Sequence, residues 1–485
     1  MNYTYSTFAI YLLAMLGIGY YFYRKTSTSS DYILGSRDLP PSVAAISSGA
    51  SDLSGWALMG LPGALFTTGL SAIWIVVFTL MGVYLNWKLV APKLRVATEE
   101  LDDSQTIPEY LKNRFKTDTK TFKTDSKTLQ LIASLVMLVF FTLYVGAGLS
   151  GGAVLFERVF NIDYHVALFI GAIVIVSYTF MGGYLAVCWT DFFQGLMMSL
   201  SLLITALCLF FIFNTPQMSP ELSQVLSKLT FKALEPSDGW LFGLISFSGW
   251  CIGYVGQPHV LVRFMSVRSL EDVAISRKIA IVWSTITMIS AVVVGVFGAA
   301  YFGSELSDPE TVFIALAQAF YHPFVAGIII AGILAAIMST IDSQLLICST
   351  TISEDLYKTY FRKNANDKEV ILVARMGLLI VTLIGLALAF NKADKTLLSM
   401  VAFAWGGFGA AFGPVIIFSL FWRSMTCQAA IWGMIIGAVT SLIWEVLEGG
   451  IFDMFGVVPG FIGASITIVL ITLFSNYRAK HQQLS

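Results

Sequence analysis

Asp52 stands near the middle of a long apolar stretch, SSGASDLSGWALMGLPGALF at residues 47–66. Small and hydroxyl residues surround it: Gly49, Ser51, Ser54, Gly55 and Gly60. A carboxylate inside a membrane segment costs roughly 2.5–3.5 kcal/mol on insertion scales, so it marks an ion or solute path. The glycines and Pro62 let a helix break there, and a broken helix frees backbone carbonyls to coordinate a cation. Oxygen chemistry recurs in AAIMSTIDSQ at 335–344, where Ser339, Asp342 and Ser343 fall at i, i+3 and i+4 and share one helical face. Two hydroxyls and a carboxylate are ligands that hard cations prefer over sulfur or imidazole. Thr340 lies on the adjacent face and can turn its hydroxyl toward a different cavity. Serine and threonine in membrane helices also bond to their own backbone. Asp342 has no such outlet and needs a partner or a proton. Together these features point to a cation-coupled transporter.

Three further groups of residues have two readings each. Asp191, in AVCWTDFFQG, is either an acid at a favourable helix N-terminus or a second cation ligand shared with Asp342 and Ser343. Trp250, Tyr254 and Pro258 follow one another at i, i+4 spacing in GWCIGYVGQPH. Their rings either wall a pocket for a small, partly apolar solute or pack helices, and Trp56 and Tyr144 share that ambiguity. Arg37, in DYILGSRDLP, is either a solvated charge or a gate and ion-pair partner. His165, His259, His322 and His481 are scattered without metal-like spacing. The five cysteines, Cys188, Cys208, Cys251, Cys348 and Cys427, contain no CxxC pair and read as small core residues.

The elements that must hold these residues are membrane helices. The chain of 485 residues is 56% hydrophobic and only 12% charged, against about 25% charged in soluble domains. Apolar strings of about 20 residues, each able to cross a ~30 Å hydrocarbon core, recur throughout. Thirteen spans are predicted, at about 4–24, 42–66, 71–91, 128–156, 164–183, 190–213, 239–262, 278–303, 323–350, 369–390, 396–421, 428–446 and 456–475. The stretch TVFIALAQAF within the loop 304–321 is too short to span and reads as an interfacial helix. Basic residues gather in alternate loops, most densely at 92–127 with Lys93, Arg95, Lys112, Arg114, Lys116, Lys120, Lys123 and Lys127. The positive-inside rule then puts the N-terminus outside and the C-terminus in the cytoplasm. Two spans carry breaks five segments apart: GASDLSG in span 2, and Gly253, Gly256 and Pro258 in span 7. Such a pair is the sequence sign of an inverted repeat with its site at mid-membrane. Spans 2–6 and 7–11 form the two halves (core about 42–421), with spans 1, 12 and 13 peripheral. The fold class is an all-α polytopic membrane protein, one transporter domain over 1–485 with a five-plus-five core.

Long motifs in one order now carry a resemblance. ASDLSGWALMGLPGALF, GWCIGYVGQPHVLVRFM and ILAAIMSTIDSQLLICSTTISEDLYK, together with DYILGSRDL, NWKLVAPKLR, YTFMGGYLAVCWTD and FAWGGFGAAFGP, resemble the sodium/solute symporter family and most of all its proline-carrying branch. The resemblance runs from about residue 30 to 475. It implies thirteen helices around an inverted-repeat core, with Na+ as coupling ion between spans 2 and 9. The implied ligands are the backbone carbonyls of Ala50, Leu53 and Ala336 and the hydroxyls of Ser339 and Thr340, with Asp52 supporting sodium affinity. It implies that L-proline lies against Tyr144, Trp250, Tyr254 and Pro258, near Ser54, Gly55 and Trp56, and that Arg37 is a conformationally coupled arginine at the inner mouth. Asp342 departs from members that carry serine there; a second cation in this chain would sit near Asp191, Asp342 and Ser343.

The expectation is therefore sodium-coupled symport of L-proline by alternating access in a bacterial cytoplasmic (inner) membrane, not enzymatic chemistry. Another small solute (an amino acid, pantothenate or a sugar) on the same machine, or a cation channel, are the competing readings. The expected partners are the small-molecule solute and membrane lipid; neither nucleic acid nor an obligate protein partner is indicated.

Overall fold

A computed structural model describes residues 2–26, 28–116, 125–213, 235, 239–303, 306–392 and 395–482. Lys120 and Lys123 of the basic loop lie outside the described residues. The architecture is helical; among the described residues the only extended pairing is an isolated bridge between Leu39 and Val267. Among the described residues ten helices have the length and apolarity to cross a membrane. Of the thirteen expected spans, span 5 is the shorter helix Tyr164–Thr179, span 7 is interrupted, and the second half of span 2 runs on with span 3 as one stretch, Trp56–Glu100. The chain is a multi-pass membrane protein.

Burial ranks the spans. Span 9 and span 11 are the most enclosed, with 83% and 78% of their apolar windows buried, whereas span 1 and span 13 bury 28% and 33%. Spans 9 and 11 are thus the axis of the molecule, and the terminal spans are its rim. The expected interfacial segment is the short helix Val312–Phe320.

Both breaks are where the sequence places them, and each has a local cause. Span 2 runs as Pro41–Asp52, loses regular helix at Leu53, and resumes at Ser54 through Trp56–Gly60 into Leu61–Thr68. Pro62 opens Leu61–Thr68 directly after the wider turns of Trp56–Gly60, and proline and such widened turns are common causes of a kink in a helix. Span 7 runs as Trp240–Ile252, tightens over Gly253–Gly256, and restarts at Pro258–Ser266. Gln257 between them is extended, at φ −84 and ψ 102, as a residue preceding proline prefers. The i, i+4 face expected for Trp250, Tyr254 and Pro258 is therefore corrected: the three residues stand on the first half, the tight turn and the second half of span 7. Spans 7 and 11 touch backbone to backbone at this level. A Cβ added to Gly409 would lie 2.5 Å from the Gly253 Cα, which explains the glycine run in FAWGGFGA.

Three further boundaries differ from expectation. Span 6 begins at Tyr184, so Asp191 lies two turns inside the helix and the N-terminal-dipole reading fails. The long basic loop is largely helical, with Ala91–Glu100 continuing span 3 and Ile107–Arg114 capped by Thr106. Arg37 ends a short turn, Gly35–Arg37, whose three residues all have positive φ (60°, 51° and 54°). Two non-glycine residues in that region cost of order 1 kcal/mol each and need surrounding contacts to hold them.

Candidate functional site

The first break faces span 9 through oxygen atoms. Ser339 donates its hydroxyl to the Ala50 carbonyl at 2.9 Å and to the Ala336 carbonyl at 3.1 Å. Thr340 donates to the same Ala336 carbonyl at 3.3 Å. Four of the five expected cation ligands therefore form one continuous set of contacts across two spans. The fifth, the Leu53 carbonyl, lies at the break itself and accepts only a long 3.3 Å bond from the Ala57 N–H. Gly55 allows the approach, since a Cβ there would meet Ile337 at 2.7 Å. All five oxygens are neutral and hard, a donor set that fits a small alkali cation.

Asp52 is fully buried, and its hydrogen bonds turn away from Ser339. One carboxylate oxygen accepts from the Trp405 indole N–H at 2.9 Å and lies 3.4 Å from His259 Nε2. The other oxygen has no partner. Its backbone carbonyl accepts the Trp56 indole N–H at 2.9 Å.

Those two indoles open a cluster of rings. Trp56 and Trp250 have centroids 4.9 Å apart, Trp250 and Trp405 5.1 Å, and Tyr254 and Trp405 6.5 Å. Phe455, ahead of span 13, closes on Trp250 at 5.3 Å. The Tyr144 hydroxyl is buried beside Ser54 without a standard hydrogen bond, a free polar group at the edge of the rings. Trp56, Trp250, Tyr254, Tyr144, Ser54 and Gly55 thus converge on the break in span 2. Pro258 instead shapes the wall by starting the second half of span 7. Trp405, Phe455, Gln257 and His259 were not singled out by residue type. Only FAWGGFGA, a glycine run beside a tryptophan, signals the first of them.

A second polar cluster lies deeper along span 9. Arg263 donates to Asp191 at 2.9 Å and to Ser47 at 3.1 Å, and also bonds Ser343. Ser47 and Ser343 donate to the same Asp191 oxygen at 2.7 and 3.1 Å. All four residues are fully buried. Asp191 and Ser343 meet, as a second cation site requires, but a guanidinium stands on them. Asp342 points elsewhere and accepts from the Tyr178 hydroxyl at 2.8 Å. Arg263 could have been inferred from Asp191, since a buried acid requires a cation.

The two ends of the bundle are fastened differently. At one end Arg37 pairs with Asp103 at 2.8 Å and donates to Thr98 and to the carbonyls of Met265 and Ser104. It is an anchored charge, joining the start of span 2 to spans 3 and 7. At the other end Glu310 accepts from the N–H groups of Leu397 and Leu398 at 2.7 and 3.0 Å and packs on Gly60 and Gly63. Burial raises its carboxyl above the ordinary value, against the lowering effect of those two bonds.

The chain matches the sodium:solute symporter family over residues 32–437. It is 43% identical over 471 residues to a high-affinity proline transporter of Bacillus subtilis, covering 95% of this chain and 96% of that one. It is 44% identical over 475 residues to the sodium/proline symporter of Salmonella typhimurium, covering 96% and 92%. Among solved structures, a substrate-bound, outward-open Na+-coupled sialic acid symporter superposes with a TM-score of 0.81 at 20% identity, over 97% of this chain and 98% of that one. A complex of MhsT with L-phenylalanine superposes at 0.51 and 14% identity, over 89% and 98%. These last two likenesses establish the fold.

Proposed function

Since the chain belongs to the sodium:solute symporter family, we propose that it carries L-proline into the cell together with Na+, by alternating access. The observation that carries this reading is the bridge from Ser339 to the Ala50 carbonyl. It joins the broken span 2 to span 9 at the place where a cation would hold them together. The relatives named as proline transporters and symporters support the choice of solute.

Na+ takes the oxygens of Ala50, Leu53, Ala336, Ser339 and Thr340, and Asp52 raises affinity through its nearby negative charge. Ordering of the break sets Ser54, Gly55 and Trp56 in place beside Tyr144, Trp250 and Tyr254. The proline ring lies on the aromatic faces, and its carboxylate meets backbone N–H groups freed at the break. Each ligand then raises affinity for the other by the same factor. Release of the Arg37 contacts opens the inner mouth, and Na+ leaves into the cytoplasm. One Na+ moved inward gains about 2.3 kcal/mol per 100 mV, whereas a tenfold solute gradient needs only ~1.4 kcal/mol. One Na+ per proline is enough, and the guanidinium on Asp191 favours that count over two. The setting is a bacterial inner membrane with the N-terminus outside.

Uptake of labelled proline into vesicles tests this directly. Uptake should follow an imposed Na+ gradient, collapse without it, and fail to recover under a proton gradient alone. Equal accumulation in sodium-free medium overturns the proposal. Competition by unlabelled amino acids, pantothenate and sugars distinguishes another solute on the same machine.

A further inference from the structure

We propose that Trp405 is a positioning residue that transmits cation occupancy to the solute pocket. This rests on the sodium/proline reading above. The geometry is specific to one side chain. The Trp405 indole is fully buried. Its N–H donates to the Asp52 carboxylate at 2.9 Å, at the end of the half-helix that carries Ala50. Its ring lies 5.1 Å from Trp250, on the first half of span 7, and 6.5 Å from Tyr254, in its tight turn. Its own carbonyl accepts from the Gln257 amide at 3.0 Å, and the same amide donates to the Gly253 carbonyl at 3.0 Å. A Cβ on Gly253 would meet the indole at 2.5 Å. One residue of span 11 therefore touches both broken segments: the acid of the first through its N–H, the tight turn of the second through its ring and backbone.

The physical consequence is directional. A hydrogen bond to a charged acceptor is stronger and more orienting than a neutral one. A cation settling beside Ala50 draws on the charge of Asp52, and the carboxylate shifts relative to its donor. The indole follows because the bond is buried, where an unmet N–H is costly. Its ring cannot move without Trp250 and Tyr254, against which it packs. Cation binding thus sets the separation of the rings that receive the solute. Linkage requires the converse, so solute packed on those rings steadies the Asp52 carboxylate.

Trp405→Phe keeps the ring and deletes the N–H. Labelled-proline uptake by the full-length protein in vesicles, titrated with Na+ at several proline concentrations, reads the coupling. The wild-type proline KM should fall as Na+ rises. In Trp405→Phe the KM at saturating Na+ should stay within about twofold of wild type. Its dependence on Na+ should flatten at least fivefold, and half-saturating Na+ should rise. Combining Trp405→Phe with Asp52→Asn should add less than the two single effects together. A proline KM raised equally at all Na+ concentrations would mean a merely structural role and overturn the proposal, as would an unchanged Na+ dependence. Should Trp405→Phe not reach the membrane, Gln257→Met, which unties the carbonyl side of the same residue, must weaken the Na+ dependence or the proposal fails. If the wild-type protein shows no sodium-dependent proline uptake at all, the functional reading has failed instead.

Discussion

Asp52 and Asp191 are both fully buried acids of the membrane interior, yet their surroundings differ in kind. Asp191 has a cation of its own: Arg263 holds it directly, with Ser47 and Ser343 on the same oxygen, while its other oxygen is bare like one of Asp52. Asp52 has an indole N–H, a histidine at 3.4 Å and one bare oxygen. The first arrangement has its charge met within the fold. The second leaves a negative charge undercompensated, one turn from neutral oxygens that fit an alkali ion. A fixed pair locks spans 2, 6, 7 and 9 to one another. A deficient site is where a mobile ion has the most to offer. On the proposed reading, the contrast separates the residues that build the frame from those that would make it respond to sodium.

The contrast can be broken most forcefully at Arg263. Arg263→Gln strands Asp191 without its cation, a change that typically costs about 3–5 kcal/mol. Thermal unfolding of the purified protein should register that loss, and the double variant with Asp191→Asn should recover at least half of it. A loss below about 1 kcal/mol would deny the pair its structural role. The responsive side is tested by Asp52→Asn, which should raise half-saturating Na+ for uptake tenfold or more, ~1.4 kcal/mol in binding. Unchanged sodium dependence would remove the difference between the two acids. The smallest effect is expected at Asp342, which touches neither set. Asp342→Ser should alter proline uptake less than about twofold, on the scale of one buried hydrogen bond. Parallel current and labelled uptake should give an unchanged charge per proline. A changed ratio would place a second ion beside Asp342.

How much of this is legible in the sequence depends on range. GASDLSG announces its break because an acid and five small residues do not make an ordinary lipid-facing helix. The GQP triplet at 256–258 announces the other because proline lacks an N–H and restricts the residue before it. Ser339 and Thr340 declare themselves by hydroxyls within an otherwise apolar run. Those are local signals. Arg263 hides because HVLVRFM looks like the end of a span. Asp191 misleads because the helix start is displaced to Tyr184. Trp405 is one tryptophan among 11, and nothing in its neighbours tells which carboxylate it meets 353 residues away.

The sequence alone therefore determined the class, the helices, the two interruptions and the family, because lipid forces every backbone polar group to be satisfied within its own segment or at a conspicuous break. Only the tertiary structure decided which acid receives a guanidinium and which is left to an indole. Those pairings depend on the rotation and depth of packed helices, and side chains hundreds of residues apart carry no periodicity that records them.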